Sequence, residues 1–179
     1  VNFVPLLDEQ GRAAEIARFD GGCASTKMGN FKTAVIMAGG EGHRLRPLTE
    51  RLPKPMLPLG GKPILEHLVG DLVTGGVEKL FLSVNYKAEI IREYFGNGER
   101  FKVSIEYLHE KEKLGTAGSL SLLPTVPEGP VLVVNGDVVT SVDYANFFAF
   151  HLKHRGVMTV AATEYKVRVP FGTVEMANQ

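Results

Sequence analysis

The sequence contains one cysteine, carries no net charge and has no long apolar run, and each shortage excludes a class of protein. Cys23 is the only cysteine among 179 residues, so no internal disulfide forms, and we expect a reducing, cytoplasmic compartment. Twenty basic residues balance twenty acidic ones, so no overall field favours nucleic acid or an anionic membrane as a partner. No apolar run approaches the roughly 20 residues of a membrane helix. An anion site in this chain must therefore be local.

The residues that are present favour a globular, soluble protein, with 44% hydrophobic and 22% charged residues in a length that can bury a core. No signal peptide is recognisable, and a beginning at Val1 indicates a piece of a longer protein. Residues 1–22 are predicted to form a hairpin, because the apolar runs Phe3–Leu7 and Ala13–Phe19 flank a turn over 8–11. Small and polar residues then predict a linker over 23–30, followed by the main domain over 31–179.

Beyond residue 30, apolar runs of strand length alternate with segments of helical spacing. The pattern predicts strands at Thr33–Ala38, Lys79–Val84, Val103–Leu108, Val131–Val134 and Val157–Thr163, and helices over 64–73, 90–95, 116–123 and 144–152. Gly75 and Gly76 are predicted to end the first helix. Such alternation is typical of an α/β fold with three layers around a mostly parallel sheet. Ligands bind at the carboxyl ends of the strands in these sheets.

The first of these strands leads into a glycine-rich loop, AGGEGHRLRPLTERLPKPMLPLGGKP, over residues 38–63. Backbone N–H groups of such a turn can converge on a phosphate. Arg44, Arg46, Lys54 and Lys62 lie within this segment of a chain with zero net charge, which favours an anion site. The alternative is a tight structural turn with charged neighbours, and a double glycine alone does not exclude it.

Two common phosphate-binding motifs do not fit this loop. A P-loop reads G-x-x-x-x-G-K-[ST], but here Lys62 is followed by Pro63, and Met56 stands where the first glycine belongs. A dinucleotide fingerprint reads G-x-G-x-x-G, opens a helix and is followed by an acidic residue after the second strand. Leu45 replaces its third glycine, prolines follow, and the second strand ends in Asn85.

The loop instead resembles the signature of sugar-1-phosphate nucleotidyltransferases, G-G-x-G-x-R-L-x-P-L-T, followed by P-K-P-x-x-P and G-x-K-P. The glycines, the arginine, the lysine and the prolines are all present, whereas His43 replaces the usual threonine or serine. The resemblance runs from about Lys32 to Gln179 and implies a three-layer, Rossmann-like nucleotidyltransferase fold. It also implies transfer of a nucleotidyl group from an NTP to a sugar 1-phosphate, with release of pyrophosphate.

The resemblance implies roles for single residues of this loop and of the later strand end VLVVNGD. The nucleotide-binding positions in the loop are Ala38, Gly39, Gly40, Gly42 and His43. Arg44 would stabilise charge on the departing pyrophosphate, Lys54 would neutralise the α-phosphate, and Asp137 would hold Mg²⁺. Mg²⁺ is usually held by one or two carboxylates together with substrate phosphates, which fits an aspartate at a strand end. Asp137 could alternatively cap the turn that follows.

A second motif, HEKEKLGTAGSL over residues 109–120, resembles the family's base-binding loop. The resemblance places Glu110 against the nucleobase, with Gly115 and Thr116 in the loop that packs under it. Guanine offers two adjacent N–H donors, and a carboxylate, which only accepts, can take both. Uracil and thymine offer one donor between two acceptors. Glu110 therefore favours GTP, and the alternative is a solvated charge in a polar loop.

A third stretch, VPFGTVE over residues 169–175, resembles the family's P-Y-G-V-V segment, whose glycine approaches the sugar. The sugar-binding positions carried over are Gly136, Phe171 and Gly172, and Phe171 lacks the hydroxyl of the usual tyrosine. The family's later E-K-P segment and second metal aspartate would fall beyond Gln179, so we expect an incomplete catalytic domain. The hairpin over 1–22 resembles the closing hairpin of a CBS module, and a generic hairpin is the alternative.

Taken together, these motifs predict a cytoplasmic, homo-oligomeric enzyme that uses GTP, a sugar 1-phosphate and Mg²⁺ to form a GDP-sugar. Two alternatives remain open. A catalytically silent relative on the same fold would bind nucleotides or regulate, and it should lack Arg44, Lys54 or Asp137, all of which are present. The other is a transferase on the same fold for choline phosphate or a lipid precursor, which the family's segments expected beyond Gln179 would distinguish from a sugar enzyme.

Overall fold

A computed structural model describes residues 2–7, 13–19, 30–112, 114–163 and 172 of the chain. Its strands are β1 (Asn2–Leu7), β2 (Ala13–Phe19), β3 (Thr33–Met37), β4 (Pro58–Leu59), β5 (Lys62–Pro63), β6 (Lys79–Val84), β7 (Ser104–His109), β8 (Val131–Asn135) and β9 (Ala162–Thr163). Its α-helices are α1 (Ile64–Thr74), α2 (Ala88–Phe95) and α3 (Tyr144–His154). The described residues fall into two compact units: residues 30–150 form the larger one, and β1, β2 and residues 151–163 belong to the smaller one.

The larger unit is built on a four-stranded sheet in the order β7-β6-β3-β8, with every neighbouring pair parallel. Strands β3 and β6 are almost continuous apolar runs, as expected for strands buried on both faces of a sheet. Four of the five strands predicted for the main domain agree with the structure to within about one residue. The α/β fold with a mostly parallel sheet is therefore confirmed.

Helices cover one face of this sheet with apolar stripes. Leu65, Leu68, Val69 and Leu72 of α1 are buried at the spacing of a helix face, and α2 and the start of α3 add to the same core. The opposite face has a smaller core, made by Val35, Phe81 and Leu108, which packs against Leu120 and Leu123. The layer on this second face comes from a short 3-10 helix, Gly118–Leu122.

The short helix predicted over 116–123 is present as this 3-10 helix, which is three residues shorter. Its hydrogen bonds run from residue i+3 to residue i, as from Leu123 N to Leu120 O at 3.2 Å. The Ser121 hydroxyl also donates to Gly118 O at 2.7 Å, and such local side-chain bonds compete with α-helical ones. Pro124 follows directly, so the segment has no room to extend into a regular helix.

The predicted end of α1 is confirmed and has a steric cause. Gly76 adopts φ +91°, a left-handed conformation that glycine enters without strain. A Cβ atom at Gly76 would also lie 2.5 Å from Nδ2 of Asn30. The chain turns there and starts β6 three residues later.

The smaller unit contains the predicted N-terminal hairpin. β1 and β2 pair antiparallel, with Asn2 opposite Phe19 and Leu7 opposite Ala13, and the predicted turn over 8–11 lies outside the described residues. The strand predicted over 157–163 was too long, because the described strand there is Ala162–Thr163, which pairs antiparallel with β1. Val157 and Met158 are exposed, so their apolar run is not a buried strand. Most of the predicted linker lies outside the described residues, and the CBS resemblance stays a prediction.

Candidate active site

The carboxyl ends of the four parallel strands meet at one edge of the sheet. In the register, Met37 at the end of β3 lies opposite Ser83 on one side and Asn135 on the other. At the next pair, Val84 of β6 lies opposite His109 of β7. The four segments that follow these strands therefore leave the sheet side by side, and they contain most of the predicted site residues.

Backbone hydrogen bonds continue this alignment beyond the strands. Ala38 N donates to Ser83 O at 2.8 Å, and Gly136 N donates to Met37 O at 2.9 Å. A Cβ atom at Gly136 would lie 3.2 Å from the Cβ of Ala38, so the two chain segments approach closely. The glycine-rich loop and the segment carrying Asp137 are thus neighbours.

The glycine turn has one position that accepts only glycine. Gly42 has φ +65°, and a Cβ atom there would lie 2.9 Å from Cγ2 of Thr49 and 3.1 Å from Cβ of Lys54. Thr49 is 1% exposed, and its hydroxyl donates to Gly42 O at 3.0 Å. The Tyr86 hydroxyl in turn donates to Thr49 O at 3.1 Å. Packing and hydrogen bonds thus fix the turn at Gly42, whereas Gly40 is exposed to solvent.

Lys54 and Asp137, which are 83 residues apart, form a hydrogen-bonded ion pair. Lys54 begins a short 3-10 helix, Lys54–Met56, in a segment whose Pro53 and Pro55 are buried, so the backbone that carries it is fixed. The side chains of the pair are 33% and 32% exposed, which keeps both accessible to a ligand. The structure therefore brings together the predicted phosphate-binding lysine and the predicted metal-binding aspartate, next to the glycine turn.

Glu110 is buried, with 8% of its surface exposed, so the alternative of a solvated charge in a polar loop is wrong. Oε1 accepts a hydrogen bond from the Ser83 hydroxyl, and Oε2 accepts one from Leu114 N at 3.3 Å. A Cβ atom at Gly39 would lie 3.3 Å from Oε1. The carboxylate is thus directly beside the glycine turn, where the sequence predicts the base.

Several polar residues of this site were not predicted from the sequence. The segment Ser83–Tyr86 ends β6 and supplies three of them: Ser83 bonds Glu110, the Asn85 amide donates to Glu110 O at 2.6 Å, and Tyr86 bonds the loop at Thr49. A run of polar residues directly after an apolar strand could have indicated them. Their partners lie 25 to 37 residues away, which spacing along the chain does not reveal.

Other predicted residues lie at the rim of the same edge. His43 Nε2 lies 2.7 Å from Oε2 of Glu41, so the residue that replaces a hydroxyl contacts its own loop. Arg44 is exposed in the 3-10 helix His43–Leu45. Gly115, at φ +81°, and Thr116 are exposed beyond Glu110.

The three predicted sugar-binding residues are not all in the larger unit. Gly136 is buried at the sheet edge, as described above. Phe171 lies outside the described residues, and Gly172 belongs to the smaller unit. Their roles, like those of the other site residues, stay predictions.

For a metal ion, the described part of the chain offers Asp137 rather than a complete protein cage. No group of three or more His, Cys, Asp or Glu side chains among the described residues is arranged to hold an ion. A single carboxylate beside a turn that is predicted to bind phosphate still fits Mg²⁺, which keeps waters and takes oxygens from substrate phosphates. Asp137 is thus suited to a shared site with a nucleotide.

None of the helices in the described segments combines the length and the hydropathy needed to span a bilayer.

Comparison with known proteins identifies the family. A family model described as nucleotidyl transferase matches residues 33–179. Mannose-1-phosphate guanylyltransferase of Mycobacterium tuberculosis is 37% identical over 142 residues, which cover 79% of this chain and 40% of that protein. D-glycero-alpha-D-manno-heptose 1-phosphate guanylyltransferase of Aneurinibacillus thermoaerophilus is also 37% identical over 142 residues, covering 79% of this chain and 61% of that protein.

A solved structure supports the same assignment. HddC from Yersinia pseudotuberculosis, complexed with GMP-PN, superposes with a TM-score of 0.60 at 33% identity, over 68% of this chain and 55% of that one. The chain spans about 40% of the length of the Mycobacterium tuberculosis relative. The chain belongs to the nucleotidyl transferase family, and the resemblance to sugar-1-phosphate nucleotidyltransferases is confirmed.

Proposed function

We propose that this chain carries the nucleotide-binding part of an enzyme that joins a guanylyl group to a sugar 1-phosphate. The products are a GDP-sugar and pyrophosphate. The observation that carries the proposal is the convergence of the glycine turn, the Lys54–Asp137 pair and the buried Glu110 at one sheet edge. Relatives named as guanylyltransferases of mannose 1-phosphate and of a heptose 1-phosphate support the same substrate class.

In the proposed reaction, an oxygen of the sugar phosphate attacks the α-phosphorus of GTP in line, and the bond to the β-phosphate oxygen breaks. The nucleophile is already anionic at neutral pH, so no general base and no covalent intermediate are required. Catalysis then depends on positioning the two phosphates and on stabilising the charge that develops. Backbone N–H groups of the turn over Gly39–Gly42 would cradle the nucleotide, as they do for anions at other glycine turns.

Two basic side chains stabilise charge on different phosphates of the nucleotide. Lys54 leaves its ion pair with Asp137 and turns to the α-phosphate, where it also orients the incoming sugar phosphate. Arg44, exposed at the end of the glycine turn, reaches the pyrophosphate as it departs. Asp137 then becomes available to hold Mg²⁺, which neutralises charge on the phosphate oxygens when bound. The ion pair thus keeps both groups beside each other until a nucleotide arrives.

Glu110 selects the base in this proposal. Its carboxylate accepts the two adjacent N–H groups of guanine, while Gly115 and Thr116 pack under base and ribose. Gly136, Phe171 and Gly172 remain the proposed sugar-binding positions, each on the resemblance alone. The enzyme is further proposed to be a cytoplasmic homo-oligomer, which rests on the sequence expectations alone.

The proposal is tested by a pyrophosphate-release screen of the full-length protein, with four NTPs against a panel of hexose, heptose and hexosamine 1-phosphates. We expect release with GTP and at least one sugar 1-phosphate in the presence of Mg²⁺. Nucleotide binding without release in any combination would instead support the silent relative. Release only with choline phosphate or another non-sugar acceptor would support the other alternative.

A further inference from the structure

We infer that Ser83 is a positioning residue that sets the guanine selectivity of Glu110. The inference rests on the proposed function, since it takes Glu110 as the residue that reads the base. Ser83 is completely buried at the end of β6, and its hydroxyl donates to Oε1 of Glu110. It lies on the middle part of the sheet, opposite Met37 of β3 and Leu108 of β7, so its backbone is held from both sides.

The hydrogen-bonding capacity of the carboxylate supports this role. A carboxylate group has about four acceptor sites, two on each oxygen. Among the described residues, Ser83 fills one site on Oε1 and Leu114 N fills one on Oε2. One site then remains on each oxygen. Guanine presents two parallel N–H donors, one from N1 and one from its 2-amino group, which is the number and arrangement that remain.

The backbone of Glu110 is fixed as well, so the Ser83 bond acts on the side chain alone. Glu110 N donates to Val84 O at 3.1 Å, and the Asn85 amide donates to Glu110 O at 2.6 Å. These contacts place the Cα atom, but the carboxylate can still rotate about its side-chain bonds. The Ser83 hydroxyl, which comes from the rigid strand, restricts that rotation and holds Oε1 beside Gly39. Pre-organisation of this kind strengthens a bidentate contact more than a single one.

Inosine triphosphate is the probe, because inosine keeps the N1–H and lacks the 2-amino group. The experiment measures binding of GTP, inosine triphosphate and UTP to the full-length protein by calorimetry, with Mg²⁺ and without a sugar phosphate, so that no turnover occurs. For the wild type we expect GTP to bind roughly 10- to 100-fold tighter than inosine triphosphate, as for a bidentate base contact. Ser83→Ala should lower that ratio about 5- to 10-fold, the effect of one typical intramolecular hydrogen bond.

Two further variants separate positioning from packing. Ser83→Cys keeps nearly the same volume, but its thiol donates weakly, so the preference for GTP over inosine triphosphate should fall almost as far as in Ser83→Ala. If Ser83 acted only by packing, Ser83→Cys would keep the wild-type preference. Tyr107→Phe removes a hydroxyl on the neighbouring strand β7, whose partner is Gly96 O at 2.7 Å, and should leave the ratio unchanged. Thermal unfolding of each variant confirms that it is folded.

The outcomes distinguish this inference from the proposed function. If the wild type prefers GTP and Glu110→Gln removes the preference, but Ser83→Ala and Ser83→Cys retain it, the role of Ser83 is wrong and the function stands. The role of Ser83 is also wrong, and the function again stands, if the wild type binds GTP more tightly than UTP but binds GTP and inosine triphosphate equally. A wild type that binds UTP more tightly than GTP would overturn the guanine assignment itself.

Discussion

Lys54 and Arg44 are the residues on which the proposed chemistry depends most. Lys54→Ala and Arg44→Ala in the full-length protein should each lower kcat by roughly 10²- to 10⁵-fold, as loss of a charge contact in phosphoryl transfer does. Both lie outside the main core, so the fold should be retained, which circular dichroism checks. Lys79→Ala is the matched control, because Lys79 pairs with Glu106 at 2.7 Å at similar exposure but lies at the opposite end of β6. Near-wild-type turnover in either site variant would remove that residue from the mechanism.

Gly42 and Gly40 test the geometry of the turn in one comparison. Gly42→Ala should lower the free energy of unfolding by about 1–3 kcal/mol, because alanine is strained at φ +65° and would contact Thr49. Gly40 has no heavy atom within 4 Å of an added Cβ, so Gly40→Ala should change that free energy by less than about 0.5 kcal/mol. Urea denaturation measures both. Equal effects of the two substitutions would contradict the described turn.

At the scale of elements, a polar cluster connects the β4–β5 hairpin to α1 and α2. Lys62 of the hairpin pairs with Glu66 of α1 at 3.1 Å, and the Tyr94 hydroxyl of α2 donates to the other Glu66 oxygen. The Tyr94 hydroxyl is the main reason that the pKa of Glu66 is lowered, and the same bond raises the pKa of Tyr94. The hairpin follows the Lys54 segment directly, so this cluster holds one end of the glycine-rich loop over 38–63.

The pH dependence of stability follows from these two shifts. The lowered pKa of Glu66 stabilises the fold above its ordinary pKa, and this contribution is lost as pH falls through the folded value. The raised pKa of Tyr94 stabilises the fold below its ordinary pKa and is lost as pH rises through the folded value. Tyr94→Phe should therefore be less stable than wild type near pH 7, and the difference should shrink in acid. Unfolding midpoints at pH 7 and pH 3 measure this, and a pH-independent difference would contradict the assignment.

The sequence predicted the elements of the larger unit well where a buried surface enforces one periodicity. The runs that became β3 and β6 are apolar and largely buried on both faces, and the stripe of α1 ends at two glycines. The strand predicted over 157–163 was too long where no such surface exists, because Val157 and Met158 are apolar yet exposed. The helix predicted over 116–123 is of the 3-10 type, and the Ser121 hydroxyl there bonds locally to Gly118 O. Their apolar residues resemble those of regular elements, but tertiary packing decides their conformation.

At the scale of the whole molecule, the site was predictable only in part. The resemblance pointed to Lys54, Glu110 and Asp137, and the structure places them along one sheet edge. The residues that hydrogen-bond to this site, Ser83, Asn85 and Tyr86, were not predicted. Their partners are distant in sequence and come close only through the pairing of the parallel strands. The burial of Glu110 likewise depends on its neighbours in space, so it could not be predicted from the motif alone.

The proposed sharing of Asp137 between Lys54 and Mg²⁺ predicts that metal and nucleotide bind together. Magnesium gives up its waters reluctantly, and the described residues offer no complete cage, so the affinity for Mg²⁺ alone should be weak. GTP should raise it at least tenfold, because the phosphates supply oxygens and attract Lys54 away from Asp137. Asp137→Asn should abolish this coupling, and Asp71→Asn, at an exposed aspartate of α1, should not. Equal Mg²⁺ affinities with and without GTP in calorimetry would exclude a shared site.

The most direct test of the central claim is the nucleotide preference of the full-length protein and its dependence on Glu110. The measurement is kcat/KM for GTP and for UTP, with the sugar 1-phosphate that supports turnover, in wild type and in Glu110→Gln. We predict that the wild type prefers GTP, by roughly 1–3 kcal/mol of discrimination, because a pyrimidine carbonyl would face the buried carboxylate. Glu110→Gln keeps the shape of the side chain and removes its charge, so it should lower kcat/KM for GTP and reduce the discrimination against UTP. An unchanged ratio would contradict the role of Glu110, and a wild-type preference for UTP would contradict guanylyl transfer.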